Sequence, residues 1–144
     1  MSLDGTYDDG NIFAKIVRGE APCAKVYEDD DVLAFLDLFP QGRGHTLVIS
    51  KTSQARNLLD ADTETLSRLI AGVQKVARGV RAALNPDGIV VTQFNGAPAG
   101  QTIFHLHFHI VPRFEGVGLA GHASGHMADA AELAALAREI GARI

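Results

Sequence analysis

The distribution of apolar and polar positions divides the chain into a short leader and a patterned region. Residues 1–10 are polar and rich in Asp and Gly, a composition that predicts disorder. Residues 11–144 alternate apolar segments with short polar loops and show no internal repeat or linker, which predicts a single domain. The first patterned segment, NIFAKIVRGE, spaces its apolar residues three and four apart between a capping Asn11 and Gly19. It predicts one short helix.

Five further segments predict β-strands, because they are short, rich in β-branched or aromatic residues, and bounded by turn residues. They are AKVYED (24–29), VLAFLDL (32–38), GHTLVIS (44–50), IVVTQFN (89–95) and FHLHFHIV (104–111). An acidic turn joins the first two segments, and the loop GAPAGQT joins the last two.

Two longer helices are predicted from apolar stripes. The first spans 63–84, begins after a capping Asp60 or Asp62, and ends at NPDG. Its stripe consists of Leu66, Leu69, Ile70, Val73, Val76, Ala77, Val80 and Leu84. The second spans about 127–141, and its stripe consists of Leu133, Leu136, Ala137 and Ile140. The order helix, three strands, long helix, two strands, helix favours an α+β fold with a mainly antiparallel sheet.

Composition narrows the classes of function. The 144 residues are 47% hydrophobic and 21% charged, as in ordinary globular proteins. The net charge is −4 and the basic residues are scattered, which argues against nucleic-acid binding but leaves a small phosphate ester possible. No apolar run approaches the length of a membrane span, and the first residues do not resemble a signal peptide. Together with a single cysteine, Cys23, these features predict a cytoplasmic protein.

The most informative segment places three of the chain's 6 histidines, His105, His107 and His109, at alternate positions of an apolar strand. Side chains at i and i+2 share one face, roughly 6.5–7 Å apart. Three interpretations compete: a tolerated polar face, a metal site, and a nucleophilic histidine assisted by its neighbours. A metal site would require all three rings to lean onto one ion. A nucleophile uses the three positions for different tasks, and the small residues of GAPAGQT upstream would let a phosphate approach the backbone.

The motif His-φ-His-φ-His-φ-φ, where φ is apolar, resembles that of the histidine-triad (HIT) nucleotide hydrolases and transferases, and the chain looks Hint-like. The similarity runs from NIFAKIVRGEAP through VLAFLDLFPQGRGHTLVI to FNGAPAGQTIFHLHFHIVPR. It implies a HIT-like α+β fold with a five-stranded sheet. It also implies a homodimer in which two sheets join into one of ten strands.

The resemblance also implies residue roles. His107 matches the nucleophile, which forms a covalent nucleotidyl-histidine. His105 and His109 would orient it and contact phosphate, and His45 would complete the catalytic set. The phosphate or leaving group would contact Gln101, Thr102 and Asn95, and the ribose would contact Asp37. An apolar purine slot would consist of Phe13, Ile16, Phe35, Leu38 and Leu47.

The implied activity is hydrolysis or transfer at the α-phosphate of purine nucleoside 5′-phosphate conjugates of AMP or GMP. A phosphoramidase is favoured over a dinucleoside polyphosphate (Fhit-like) hydrolase. A nucleotide-binding or scaffold module with vestigial activity is the alternative from another class. No cofactor is implied. Many bacterial relatives hold a structural zinc with two cysteines and a histidine where this chain has Asn11, Ala14 and Ser53, so we expect no metal. His122 and His126 are interpreted as residues of a solvated loop.

Overall fold

The computed structural model describes residues 2–122 and 126–144, and its first helix forms where the apolar spacing predicts it. Helix α1 spans Ile12–Val17. The side chain of Asn11 accepts a hydrogen bond from the N–H of Ala14 at 2.9 Å, which confirms Asn11 as the N-cap. Gly19 follows the helix with a φ of +77°, a conformation that glycine adopts without strain.

Five strands form one antiparallel sheet, which confirms the predicted α+β class. The strands are β1 (Lys25–Glu28), β2 (Val32–Leu36), β3 (Thr46–Ser50), β4 (Gly88–Thr92) and β5 (His107–Arg113). Their order across the sheet is β1-β2-β3-β5-β4, and every neighbouring pair is antiparallel. The strand that carries the histidines therefore lies between β3 and β4.

Strand β5 begins three residues later than the apolar alternation predicts, so His105 does not share a regular strand with His107 and His109. The pairing of β5 with β3 starts at His107, opposite Ile49. Before that point the backbone N–H of Leu106 donates to the carbonyl of Ala55 at 3.0 Å, outside the sheet. This hydrogen bond turns the chain away from β3 and gives His105 a different environment.

Two helices cover one face of the sheet. Helix α2 spans Thr63–Leu84, and the side chain of Asp62, not that of Asp60, caps it by accepting from the N–H of Thr65 at 2.7 Å. Helix α3 spans Ala130–Gly141. It begins three residues later than predicted, because the side chain of Asp129 caps it there.

The central strands β2, β3 and β5 are largely buried on both faces. Alternate residues of β2, β3 and β5 meet the stripes of α2 and α3, and the larger core lies between them. Ile70, which we assigned to the stripe of α2, is 50% exposed and lies outside this core. On the other face a smaller cluster packs under α1 and consists of Phe13, Leu33, Phe35, Leu47 and Ile49.

Two segments outside the helices and strands contact loops of the fold. Residues 2–10, for which composition predicts disorder, pass beside the loop after β3, where Asn57 donates its side-chain amide to the carbonyl of Leu3 at 3.1 Å. The segment between β5 and α3 crosses the β2–β3 loop: the N–H of Ala120 donates to the carbonyl of Gln41 at 2.8 Å.

Residues 123–125 of the predicted solvated loop, and Met1, lie outside the described residues. Within the described part of the chain, no helix is long and apolar enough to cross a membrane.

Candidate active site

Four buried histidines gather where β3 and β5 lie side by side. His107 and His109 occupy alternate positions of β5, opposite Ile49 and Leu47, on the face that α1 covers. His45 directly precedes β3, and His105 lies two residues before β5. The ring of His107 packs edge-on against Phe13 of α1, with 4.9 Å between the centroids.

A cavity of about 210 Å³ opens between α1, the ends of β2 and β3, and the histidines of β5. Its lining brings together most of the residues proposed from the sequence. These are Phe13, Ile16, Phe35, Asp37, Leu38, Leu47, Thr102, His107 and His109. The cavity thus has an apolar end under α1 and a polar end at the histidines. The other four proposed residues, His45, His105, Asn95 and Gln101, are not among its lining residues.

The tautomer of His107 follows from its backbone contact. Its Nδ1 lies 2.7 Å from the carbonyl oxygen of His105. A carbonyl can only accept, so Nδ1 must carry the proton, and the neutral ring keeps its lone pair on Nε2. Since His107 lines the cavity, this nitrogen is the available nucleophile there.

Two successive hydrogen bonds, from Gln41 to His45 and from His45 to His109, fix the tautomer of His109. The backbone N–H of Gln41 donates to Nδ1 of His45 at 3.0 Å, so neutral His45 carries its proton on Nε2. That Nε2 donates to Nδ1 of His109 at 2.9 Å. Neutral His109 therefore presents an Nε2–H, and this buried atom has no partner among the described residues. His107 and His109 thus bring one lone pair and one donor to the polar end of the cavity.

His105 is held from both sides. Its Nε2 donates to the carbonyl of Ser50 at 2.8 Å, so its Nδ1 is an acceptor. The hydroxyl of Tyr7 donates to that Nδ1 at 2.7 Å. Sequence analysis missed Tyr7 because it lies in a polar, Gly-rich segment, 98 residues from its partner. No local pattern identifies such a contact.

Burial keeps the four imidazoles neutral. It lowers the pKa of His107 to about 4, against a smaller opposing effect of the hydrogen bond to the His105 carbonyl. Burial also lowers the pKa of His109 to about 3, with the neighbouring histidines adding to the effect. The pKa values of His45 and His105 are lowered for the same first reason. At neutral pH His107 therefore has the uncharged form that a nucleophile requires.

Asp37 lines the cavity, whereas Gln101 and Asn95 are not among its lining residues. One carboxylate oxygen of Asp37 accepts from the N–H of Phe39 at 2.9 Å, and the other lies 3.5 Å from Nε2 of His45. Gln101 is buried, and its amide contacts three backbone groups, those of Arg56, Gly96 and Ile103. The side-chain oxygen of Asn95 accepts from the N–H of Leu58 at 2.9 Å. Gln101 and Asn95 thus fix the loop that carries Thr102.

His122 lines the cavity together with His107 and His109, and the prediction that it lies in a solvated loop is wrong. Its Nε2 lies 2.7 Å from the carbonyl of Gly100, and its ring packs on Phe94 at 4.7 Å and on His109 at 5.1 Å. His126, by contrast, is exposed. The sequence could not predict that His122 is half-buried and His126 exposed, because the difference depends on the contact of His122 with the distant Gly100.

Two groups of residues bear on metal binding. Asp37, His45 and His109 place one ligand atom each within 4.8 Å of one another. An ion held by all three would have to break the hydrogen bond between the two imidazoles, so their donor set fits a proton relay better than a metal centre.

The three positions on which we based the expectation of no structural zinc have other roles in the fold. Asn11 caps α1, Ala14 is buried, and the hydroxyl of Ser53 accepts from the N–H of Ala55. None of these three supplies a thiolate or an imidazole, the usual ligands of structural zinc, so this position does not fit the ion.

Comparison with known proteins accounts for this arrangement. The family model described as "HIT domain" matches residues 18–116. A crystal structure of a HIT-like protein from Bartonella henselae is 52% identical, with a TM-score of 0.88 over 96% of this chain and 100% of that one. The adenosine 5′-monophosphoramidase hnt1 of Schizosaccharomyces pombe is 37% identical over 92% of this chain and 97% of its own. The adenylylsulfatase HINT3 of Arabidopsis thaliana is 38% identical over 76% of this chain and 55% of its own. With His105, His107 and His109 in the triad positions of this fold, the chain belongs to the HIT family, a family of nucleotide-binding hydrolases.

Proposed function

We propose that the protein hydrolyses or transfers purine nucleoside 5′-phosphate conjugates at the α-phosphate, through a nucleotidyl group on Nε2 of His107. The observation that carries the proposal is the tautomer of His107. The carbonyl of His105 holds the proton on Nδ1, and burial keeps the ring uncharged, so the Nε2 lone pair faces the cavity. A buried imidazole of this kind suits in-line attack on phosphorus.

In the first step the Nε2 lone pair of His107 forms a bond to the α-phosphorus, and the bond from phosphorus to the leaving group breaks. The leaving group keeps that electron pair, accepts a hydrogen bond from the Nε2–H of His109, which lies next to His107 with ring centroids 5.0 Å apart, and takes a proton from solvent water. In the second step water attacks phosphorus and releases its proton to solvent. The phosphorus–nitrogen bond breaks, its electrons return to His107, and the nucleoside monophosphate leaves.

The two ends of the cavity match the two ends of such a substrate. We assign the purine to the apolar slot, because Phe13 and Phe35 present aromatic rings there beside Leu38. The ribose hydroxyls are assigned to Asp37, whose carboxylate lies between the slot and the histidines. The phosphate is assigned to Thr102 and His109, while Gln101 and Asn95 hold the loop from behind.

The leaving group defines the competing versions of the proposal. An amine makes the protein a phosphoramidase, and a nucleotide makes it a dinucleoside polyphosphate hydrolase. The relatives support an amine or a sulfate, since one is named a monophosphoramidase and another an adenylylsulfatase. A scaffold with vestigial activity would bind nucleotide without turnover.

Trapping the intermediate tests the proposal. The protein is mixed with adenosine 5′-phosphoramidate labelled at the α-phosphorus, quenched in alkaline denaturant, and assayed for protein-bound nucleotide. We expect a transient adduct in the wild type and in His126→Gln, whose replaced side chain is exposed. His107→Gln is expected to form no adduct and to lose turnover by about 10³-fold or more. Tight nucleotide binding with no adduct in the wild type would instead favour the scaffold.

We further propose that the protein forms a homodimer through β4. This strand lies at one end of the sheet, and its Val90 and Val91 are 38% and 44% exposed. An edge strand with exposed apolar side chains favours pairing with a second copy. Light scattering should therefore give the mass of two chains, and the mass of one chain would contradict the pairing.

A further inference from the structure

The position of His122 bears on which leaving group the cavity accepts. Three imidazole rings succeed one another along the polar end of the cavity, His107, His109 and His122, with centroid separations of 5.0 and 5.1 Å. His122 thus contacts His109, which in turn contacts the proposed nucleophile. In an in-line displacement the leaving group departs on the side away from the attacking nitrogen.

The tautomer of His122 is fixed in the same way as that of His107. Its Nε2 lies 2.7 Å from the carbonyl of Gly100, so Nε2 carries the proton and Nδ1 keeps a lone pair. The packing of the ring against Phe94 holds this orientation. Neutral His122 therefore presents an acceptor.

Two buried ring nitrogens at this end of the cavity have no hydrogen-bond partner within the described ranges, 2–122 and 126–144. They are Nε2 of His109, a donor, and Nδ1 of His122, an acceptor. Buried polar atoms without partners are rare, because each such atom loses its hydration without replacement. A ligand group that accepts from one and donates to the other would satisfy both.

We propose that His122 is a specificity-determining residue that accepts a hydrogen bond from an N–H of the leaving group, and so selects phosphoramidates over phosphate or sulfate leaving groups. The inference rests on the proposed function. A phosphoramidate nitrogen has a lone pair for the proton of His109 and an N–H for Nδ1 of His122. The bridging oxygen of a polyphosphate or an adenylyl sulfate has no hydrogen, so its lone pairs would face the lone pair of His122.

The proton balance of the cleavage step is consistent with this assignment. His107 Nε2 bonds to phosphorus, and the electrons of the phosphorus–nitrogen bond stay on the departing nitrogen. That nitrogen accepts a hydrogen bond from the Nε2–H of His109, takes a proton from solvent and leaves as a neutral amine. The N–H that it already carried remains hydrogen-bonded to His122 throughout, so His122 neither gains nor loses a proton.

Matched substrates test the inference. Adenosine 5′-phosphoramidate carries N–H groups on its leaving nitrogen, adenosine 5′-phosphoromorpholidate has a leaving nitrogen without N–H, and diadenosine triphosphate leaves through oxygen. kcat/KM is measured for each with wild type, His122→Phe, His122→Gln and His126→Phe. Phenylalanine keeps a flat ring on Phe94 but removes the acceptor, glutamine keeps an acceptor, and His126 is an exposed histidine four residues away.

We expect His122→Phe to lower kcat/KM about fivefold for the phosphoramidate, as for the loss of one hydrogen bond, and to lower it for neither of the other two substrates. His122→Gln should retain most of the preference, and His126→Phe should match the wild type. Equal effects of His122→Phe on all three substrates, or no effect on any, would overturn the inference while leaving the adduct on His107 intact. A wild type that forms no adduct would overturn the proposed function and this inference with it. Urea midpoints of the variants separate loss of folding from loss of selectivity.

Discussion

The burial of neutral His107 makes the stability of the fold depend on pH in a definite direction. In the folded chain burial lowers the pKa of His107 to about 4, whereas the unfolded chain titrates near 6.5. Above pH 7 the ring is neutral in both states and adds no pH dependence. Between pH 6.5 and 4 the unfolded chain binds one proton more, so the free energy of unfolding falls as the pH falls.

The size of the effect follows from the same two pKa values. A difference of one bound proton changes the free energy of unfolding by about 1.4 kcal/mol for each pH unit. From pH 6.5 to pH 4, His107 alone therefore destabilises the fold by about 3 kcal/mol. This is a large part of the roughly 5–15 kcal/mol that stabilises a typical domain.

Urea unfolding at pH 7.5, 6.5, 5.5 and 4.5 measures this effect in wild type and in His107→Gln, which cannot titrate. The wild type should lose stability more steeply than the variant below pH 6.5, with a difference of about 2.5 kcal/mol accumulated by pH 4.5. His126→Gln provides the control, and its curve should run parallel to the wild type because its side chain is exposed. Parallel curves for wild type and His107→Gln would refute the assignment of a buried, neutral His107.

Four other substitutions test three separate contacts, with Gly116→Ala as the control for Gly44→Ala. Tyr7→Phe removes the hydroxyl that donates to His105 and should lower kcat about fivefold. KM should stay unchanged, because Tyr7 is not among the cavity-lining residues. A change in the His105 tautomer, observed by ¹⁵N NMR, would identify the lost hydrogen bond as the cause. Gly44→Ala, at a φ of +88° and with its new Cβ 2.5 Å from a leucine methyl group of α2, should destabilise the fold by about 2–3 kcal/mol in urea. Gly116→Ala, at a φ of +78° in open space, should cost about 1 kcal/mol, and an equal effect of the two would contradict the packing argument. Asn57→Ala should cost about 1–2 kcal/mol and speed proteolysis of the first ten residues, because buried Asn57 caps a 3₁₀ turn and holds that segment.

The features that the sequence predicts well are those that depend on neighbours within a few residues. Helix α2 has the predicted bounds, because its apolar period and its cap at Asp62 are both local. The start of α3 was predicted three residues early. Met127 and Ala128 continue a pattern compatible with a helix, and the competing cap at Asp129 is a single residue.

The features that the sequence does not predict depend on where distant segments meet. The start of β5 is determined by its pairing with β3 and by the contact of Leu106 with Ala55, 51 positions earlier in the chain. The alternation alone therefore placed the start of the strand too early, at Phe104. Tyr7 and His122 lie in segments without periodicity, and only tertiary contacts bring them to the triad. The sequence thus predicted the order of the histidines along the chain, but not that Tyr7 contacts His105 or that His122 contacts His109.

The group that orients the proposed nucleophile is a main-chain atom. Since the carbonyl of His105 accepts the Nδ1–H of His107, any amino acid at position 105 would supply the same oxygen. Point substitutions can therefore remove the imidazole at 105, its neighbour Tyr7 or the relay through His45 without removing the acceptor on which the nucleophile depends. Loss of that orientation requires a change in the path of the backbone, such as an insertion or deletion between Ala55 and β5. Substitutions at position 105 can therefore change the surroundings of the proposed nucleophile while its tautomer stays the same.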